Sequence, residues 1–393
     1  MLSNLNFDWP SMRVALEGQS VIDLPKLNIS NKAQARNFMI AYGYDTDDSG
    51  VREEVWRIYF QSLSFIREQL LDAGEKMPTA FLTRGPQTDI LKLLVEASHR
   101  SSGRESARAS PDGRWACAIL RVMHIISQLD NDVRLENFHF AREQIFNRFD
   151  ALVSSAGKRR WKFGNGPKAV TLVRYIKKER KERNSILIKL LSKPQAMVED
   201  IYDRLGLRYV TETRLDAYRL VQAFFDNGVL CPPNVQPGRS VNNLISLEHL
   251  QRVLTELQEA QTGATISPRE VKRELERLEK DSAIPVTMVR NPFTSRWYRA
   301  IQFTSRQLIV APDPTHRFWT ELQLKLKKSK SLTEQLSKIP ILIREKRTFY
   351  YPFEVQILDM ESYVESIGGR SRHREYKAKQ RLMARNRVLR DLV

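Results

Sequence analysis

The sequence predicts an α+β protein in which a helical N-terminal domain precedes a mixed, mostly antiparallel sheet with flanking helices. In the first 155 residues, apolar side chains recur at three- and four-residue spacing, which is typical of amphipathic helices. Beyond that point, several short segments alternate between apolar and polar residues, as strands do. Two amphipathic helical stretches interrupt those segments. We therefore expect a helical domain over residues 1–155 and a sheet domain over 156–393, with a helical insertion at about 231–290.

Composition describes a basic globular protein. The 393 residues include 64 Lys and Arg against 46 Asp and Glu, a formal net charge of +18, and 41% are hydrophobic. Such an excess of positive charge favours a polyanionic partner, such as a nucleotide or RNA. Two cysteines argue against a disulfide scaffold and a cysteine-based zinc site. Without a run of about 18 apolar residues or a signal-peptide pattern, the expected compartment is the cytoplasm, with no membrane association.

The strongest helical signal in the N-terminal domain lies around Trp115 to Ile126, which is apolar on almost all sides and predicts a buried central helix. His124 lies on this helix. Because no second histidine stands at ligand spacing, we interpret it as a core side chain bonded to a neighbour rather than as a metal ligand.

The second half alternates strand and helix patterns. Strands are predicted at 203–211, 298–310, 318–326, 339–343 and 349–358, and helices at 214–226, 246–261, 267–281, 359–367 and 372–391. Residues 157–168 resemble a basic linker. Ser185 has the side chain of a helix N-cap. The last helix is strongly basic, which fits either a solvated face or a phosphate or RNA track.

Two carboxylates stand at β-prone runs: Asp203 opens one run and Glu354 lies in another. Phosphoryl-type transfer needs a metal between phosphates and cations on the developing charge, and Mg²⁺ takes a few carboxylates with phosphate and water. Lys181, Arg183 and Lys189 offer cations. Spacing alone leaves each residue open to a structural interpretation, with Asp203 pairing with Arg208, Glu354 pairing with an arginine across the sheet, and Tyr298 in the core.

Four ordered blocks between about 170 and 380 together resemble the synthetase domain of RelA/SpoT-type nucleotide pyrophosphokinases. They are Lys181-Glu182-Arg183-Asn184-Ser185-Ile186 with Lys189, Asp203-Arg204-Leu205-Gly206-Leu207-Arg208, Tyr298-Arg299-Ala300-Ile301-Gln302, and Glu354-Val355-Gln356-Ile357 followed by His373 and Lys377. The resemblance implies a nucleotidyltransferase-like fold and Mg²⁺-dependent transfer of pyrophosphate from ATP to a guanosine nucleotide. The N-terminal helices show no His-Asp metal pattern, so we expect the hydrolase domain of long family members to be absent.

The same resemblance implies roles for individual residues. Asp203 and Glu354 would be the catalytic and metal-binding carboxylates, with Glu354 alternatively acting as the base. The ATP phosphates would be held by Lys181, Arg183, Ser185, Lys189 and Arg208. The acceptor would be bound by Tyr298, Arg299, Gln302, Gln356, His373 and Lys377, with Tyr298 stacked on its base.

Departures from the family pattern concentrate in the acceptor half. Gln302 stands where the family has His, Leu358 where it has Arg, and Trp297 where it has Gly, while Glu179 stands at the first Arg of the basic segment. Two alternatives follow from these departures and the net charge. One is the same transfer onto a tRNA or RNA 3′ end, and the other is a catalytically silent nucleotide- or RNA-binding protein.

Overall fold

The computed structural model describes residues 8–85, 89–98, 110–157, 159–179, 181–194, 197–198, 201–263, 266–280, 298–326, 345–368 and 373–392. These residues form two compact units. Unit 1 comprises Met1–Asp132, Lys181–Ile201 and His373–Val393, and unit 2 comprises Val133–Arg180 and Tyr202–Arg372. The first unit therefore draws on three separate stretches of chain, and its first boundary lies at Asp132 rather than near 155.

Unit 1 is helical. Its helices are α1 (Trp9–Leu16), α2 (Lys32–Tyr42), α3 (Ser49–Phe65), α4 (Thr79–Leu82), α5 (Leu91–Glu96), α6 (Pro111–Asp130), α8 (Arg183–Ser192) and α14 (His373–Leu389). As predicted, α6 is buried on most sides, with Ile119 and Val122 fully inaccessible. Leu190 of α8 and Val388 of α14 belong to the same hydrophobic core.

Unit 2 contains a seven-stranded mixed sheet. Its strands are β1 (Val153–Ser155), β2 (Trp161–Phe163), β3 (Val170–Lys178), β4 (Gly206–Thr211), β5 (Val241–Asn242), β6 (Ile301–Pro312) and β7 (Lys346–Asp359). The spatial order is β1-β2-β3-β4-β7-β6-β5. Only β4 and β7 run parallel among these pairings, and the other neighbours are antiparallel, as expected.

Helices pack against both faces of this sheet, since Tyr363 of the helix after β7 lies against Val210 and Leu358, on the face opposite the main core. The helices of unit 2 are α7 (Phe138–Asp150), α9 (Arg214–Asp226), α10 (Leu247–Thr262), α11 (Pro268–Lys280), α12 (Pro314–Leu326) and α13 (Met360–Gly368). Phe149 of α7 and Phe224 of α9 share a core with Tyr209 and Val355 of the central strands. Because side chains alternate along a strand, the neighbours Arg208, Glu354 and Gln356 lie on the opposite face.

Several local predictions need correction. Residues 318–326, predicted as a strand, belong to α12, because Pro314 fits the first turn of a helix and the Asp313 carboxylate accepts from the Thr315 N–H at 2.9 Å. The basic segment 157–168 includes β2 rather than being only a linker. The predicted strand at 339–343 lies outside the described residues.

The segment predicted as a helical insertion contains the two expected helices, α10 and α11. It also supplies β5, which pairs with β6, and it buries Leu244, Ile245 and Leu250 in the core of unit 2. This stretch is thus built into the sheet and its core.

Candidate functional site

A row of polar side chains crosses the face of the sheet opposite the α7–α9 core. It runs from Lys178 on β3 through Arg208 on β4 and Glu354 and Gln356 on β7 to Gln302 on β6. Strand register puts them together: Lys178 lies opposite Gly206, Gly206 opposite Glu354, and Gln356 between Arg208 and Gln302. We call these five residues the polar row.

Hydrogen bonds join the polar row around Glu354. Its Oε1 accepts from Gln302 Nε2 at 2.5 Å and its Oε2 from Gln356 Nε2 at 2.7 Å. Gln356 Oε1 in turn accepts from Arg208 Nη2 at 2.8 Å and from Lys178 Nζ at 3.2 Å. Lys178 Nζ also lies 3.9 Å from Glu354 Oε2. The side chain of Glu354 is 12% exposed. This nearly buried carboxylate accepts hydrogen bonds from two side-chain amides and lies beside two cations.

Gly206 explains how Lys178 reaches this carboxylate. A Cβ atom at Gly206 would lie 3.3 Å from Lys178 Cδ and 3.5 Å from Lys178 Cβ. The lysine side chain therefore passes directly over the glycine on its way to Gln356 and Glu354. Because Gly206 has no side chain, the Lys178 side chain can pass over it towards Glu354. This close approach is one reason for a glycine at this position.

Tyr298 lies beside the polar row. Burial raises the pKa of its phenol to about 12, with Arg208 opposing that rise and Glu354 adding to it, so both charges are close to the ring hydroxyl. Asn243 fixes the backbone here, donating to Tyr298 O at 2.7 Å and accepting from Ala300 N at 2.6 Å. Tyr298 is half-buried and packs against the small apolar cluster of Val210, Leu358 and Tyr363, and a neutral tyrosine suits stacking better than proton transfer.

Asp203 is half-buried in the turn before β4, three residues ahead of Gly206. Glu354 N donates to Leu205 O at 3.0 Å, which ties this turn to β7. Arg299, directly after Tyr298, is partly exposed. In unit 2 the structure thus brings together Arg208, Tyr298, Gln302, Glu354 and Gln356 of the predicted site, with Asp203 on the adjoining turn.

The segment predicted to hold ATP phosphates belongs to unit 1. Arg183 donates to Asp130 Oδ1 at 2.5 Å and to Gln61 Oε1 at 3.1 Å, so its guanidinium already has a carboxylate partner. Ser185 is not an N-cap, because α8 begins at Arg183 and its cap is Glu182. Lys181 precedes α8, and Lys189, half-buried, lies in its last turn.

His373 and Lys377 begin α14, also in unit 1, and Lys377 is exposed. Further along this basic helix, acids from elsewhere in unit 1 engage the arginines. Arg381 donates to Asp72 Oδ1 at 2.7 Å, Arg385 pairs with Glu75, and Arg387 binds Asp23. Arginines in the C-terminal half of α14 are therefore ion-paired within unit 1.

Two arginines that the sequence did not single out stand near the polar row. Arg239 and Arg306 line a cavity of about 280 Å³ with Tyr202, the residue before Asp203. Arg239 lies over the Tyr202 ring at 4.5 Å and Arg306 over the Tyr350 ring at 4.6 Å. Arg306 is four residues beyond Gln302 on β6, so strand periodicity would have placed it on the polar face. Nothing in the Pro- and Gly-rich loop marked Arg239.

The donor set fits a metal that needs few protein ligands. Across the described ranges, no three His, Cys, Asp or Glu side chains cluster closely enough to form a protein-only metal site. Mg²⁺ bound with phosphates needs only one or two carboxylates. An ionised carboxylate offers about four lone-pair sites, so a carboxylate can accept hydrogen bonds and bind a cation at the same time.

Comparisons with protein-family models, with curated proteins and with solved structures found no match to this chain. Within the described part of the chain, no helix combines the length and the hydrophobicity that crossing a bilayer requires.

Proposed function

We propose that this protein is a Mg²⁺-dependent pyrophosphokinase that transfers pyrophosphate from ATP to the ribose 3′-hydroxyl of a guanosine nucleotide. The observation that carries the proposal is the polar row, in which Glu354 is held by Gln302 and Gln356 beside Lys178 and Arg208. A carboxylate next to two cations on the polar face of a mixed sheet suits a nucleotidyltransferase-like domain of the RelA/SpoT synthetase type. The ordered sequence blocks support the same assignment.

In the proposed reaction the acceptor 3′ oxygen bonds to the β-phosphorus of ATP, the bond from that phosphorus to the α-β bridging oxygen breaks, and AMP leaves. Glu354 takes the hydroxyl proton or, together with Asp203, would hold the metal. Bound Mg²⁺ would neutralise charge between the phosphates. Lys178 and Arg208 stabilise the charge on the transferred group. Tyr298, kept neutral by its raised pKa, stacks on the acceptor base.

Arg239 and Arg306 would supply further contacts to phosphate groups of ATP or of the acceptor. Guanidinium groups bind phosphate oxygens in pairs of parallel hydrogen bonds, and both arginines line one cavity beside Tyr202. Arg183, by contrast, is engaged by Asp130. We therefore expect Arg239→Met and Arg306→Met to weaken ATP or acceptor binding more than Arg183→Met does.

The direct test incubates the protein with γ-labelled ATP and Mg²⁺ plus GDP, GTP or bulk tRNA. Label on GDP or GTP with equimolar AMP supports the proposal. Label on tRNA alone would move the acceptor to an RNA 3′ end, an outcome that the net charge of +18 makes worth testing. Nucleotide binding without any transfer would identify a silent binding protein instead.

Carboxylate variants test the mechanism. Asp203→Asn and Glu354→Gln should each lower transfer by at least a hundredfold, because each removes a negative charge that holds the metal or accepts the proton. Glu256→Gln is the matched control, since that carboxylate is exposed on α10 and pairs only loosely with Arg252 at 3.9 Å. Wild-type rates in Asp203→Asn or Glu354→Gln, with unchanged thermal unfolding, would remove that residue from the mechanism.

A further inference from the structure

Unit 1 contains a cavity that the proposed reaction does not use. It has a volume of about 180 Å³ and lies among α2, α3 and α6 and the chain around residues 21–27. Its walls are mainly aliphatic and aromatic, including Ile22, Leu27, Met39, Val55 and Leu94. An apolar cavity of about 150 Å³ in another protein binds benzene, so this one has room for a ligand body of that size. Phe38 and Tyr42, which are 40% and 39% exposed, lead from it to the surface.

The few polar groups of the cavity are unevenly charged. Arg121 and Lys26 line it, whereas no Asp or Glu does among the described residues. The two tyrosines have their own partners: Tyr42 Oη lies 2.7 Å from His124 Nδ1, and Tyr44 Oη lies 2.7 Å from Ser127 Oγ and donates to the Glu54 carboxylate at 3.2 Å. The cavity therefore combines apolar walls with two cationic side chains.

Arg121 is the unusual member of this set. It is 8% exposed, and within the described ranges its guanidinium donates to two carbonyl oxygens, Leu24 O at 2.6 Å and Val388 O at 2.8 Å. In the described ranges no carboxylate forms an ion pair with it. A guanidinium has five N–H donors, so these two hydrogen bonds leave capacity for an anion. Buried charges are otherwise paired, because an uncompensated charge in an apolar setting is costly.

The surrounding charges add to the positive excess. Burial is the main cause that lowers the pKa of Arg121 to about 10; the cations Arg390 and Arg387 act in the same direction, and Cys117 and Asp23 oppose them. Asp23 is itself engaged by Arg387 at 2.8 Å and by Arg390 at 3.9 Å. Asp23 thus pairs with two arginines and forms no ion pair with Arg121, so an incoming carboxylate would add negative charge where cations are in excess.

We propose that this cavity binds a small amphipathic carboxylate, with an apolar body of about six carbon atoms against the walls and its carboxylate at Arg121 and Lys26. The carboxylate matches the guanidinium fork, and the apolar body replaces contacts that an empty cavity lacks. This inference is independent of the pyrophosphokinase proposal, because none of its residues belongs to unit 2.

The test titrates the full-length protein with hexanoate and with 1-hexanol, a neutral probe of the same chain length, by calorimetry and by thermal unfolding. We expect hexanoate to bind at least tenfold more tightly than hexanol. Arg121→Met should remove that preference while hexanol binding remains, since methionine keeps the apolar volume without the charge. Arg67→Met is the control, because Arg67 is exposed and lies away from the cavity lining.

Equal affinity for hexanoate and hexanol in the wild type, or no binding of either, would overturn the inference. Retention of the preference in Arg121→Met would also do so. If that variant fails to fold, Ser127→Leu and Lys26→Met decide the matter in its place. Ser127→Leu should fill part of the cavity and weaken the binding of both probes. Lys26→Met should weaken the binding of hexanoate alone.

Discussion

At the scale of the residue, Gly206 controls whether Lys178 can reach Glu354. An alanine methyl would sit 3.3 Å from the flexible Lys178 chain, so Gly206→Ala should change stability by less than about 1 kcal/mol. Gly206→Val is larger and should displace the lysine, at a cost of about 1–3 kcal/mol. We expect Gly206→Val to lower pyrophosphate transfer as much as Lys178→Met does, because both remove the ammonium from the polar row.

The double variant provides the control for this prediction. If both changes act through the same ammonium group, their effects on transfer should not add in Gly206→Val/Lys178→Met. Fully additive losses, measured with folded protein, would show that Gly206 acts by another route.

His124 predicts how stability depends on pH. Burial lowers its pKa in the folded state, and Tyr42 provides a neutral hydrogen-bond partner, as the sequence interpretation of a bonded core histidine expected. Because the unfolded chain binds the proton more readily, the contribution of neutral His124 is fully present above pH 6.5 and is lost as pH falls through the folded pKa.

The measurement compares free energies of unfolding in urea at pH 7.5 and pH 5.5. The wild type should lose more stability over this interval than His124→Gln, with a slope that approaches about 1.4 kcal/mol per pH unit at most. His139→Gln, a change at an exposed site, should behave as the wild type does. An identical pH dependence in all three proteins would contradict the prediction.

At the scale of the element, α9 illustrates a helix fixed by its cap. Thr213 Oγ1 accepts from Asp216 N at 3.1 Å and donates to Asp216 Oδ2 at 2.9 Å, and Asp216 is an acid in the first turn. Thr213→Ala should therefore cost about 1 kcal/mol of unfolding free energy, while Thr213→Ser should retain most of it. Equal losses in both variants, measured by denaturant unfolding, would show that the hydroxyl is not the stabilising group.

Local signals explain which elements were predictable. The helix predicted at 214–226 matches α9, and the burial of α6 followed from its uniform hydrophobicity. The segment 318–326 was mistaken for a strand because a short alternation outweighed the helix start at Asp313 and Pro314. Periodicity over a few residues cannot separate a short strand from one turn of an exposed helix.

The candidate site was predictable only in part, because it depends on register between distant strands. Gln302, Glu354 and Gln356 were chosen from ordered blocks, and the sheet does bring them together. Lys178 was missed, since its place opposite Gly206 follows from pairing between β3 and β4. Arg239 and Arg306 were missed for the same reason, as no local pattern states that a loop and a strand share a cavity.

At the scale of the whole molecule, the order of the chain and the order of the fold differ. Unit 1 begins with the N-terminal helices but includes α8 and the C-terminal α14. Its basic C-terminal helix is fastened by acids from the first part of the chain, since Arg385 binds Glu75 and Arg387 binds Asp23. These arginines therefore form ion pairs within unit 1, and their positive charge does not by itself indicate a polyanionic partner.

This arrangement predicts that residues 1–155 alone will not form a stable domain. Val388 and Leu389 are 0% and 1% exposed in the core of unit 1, and each contributes about 1.5–3 kcal/mol by burial. A chain ending at residue 372 loses both, together with Ala384 and the ion pairs of α14. We expect that truncated chain to unfold in unit 1, with rapid proteolysis within 8–132 while fragments of unit 2 persist.

Two point variants on the same helix separate core packing from a general effect of altering the C-terminus. Leu389→Ala removes a fully buried side chain and should cost about 2–5 kcal/mol, since the vacated volume is enclosed by the core. Leu382→Ala changes a leucine that is 55% exposed and should cost less than about 0.5 kcal/mol. Urea unfolding that shifts equally in the two variants would mean that α14 does not complete the core. A large shift confined to Leu389→Ala would show that the last helix is required for the first unit to fold.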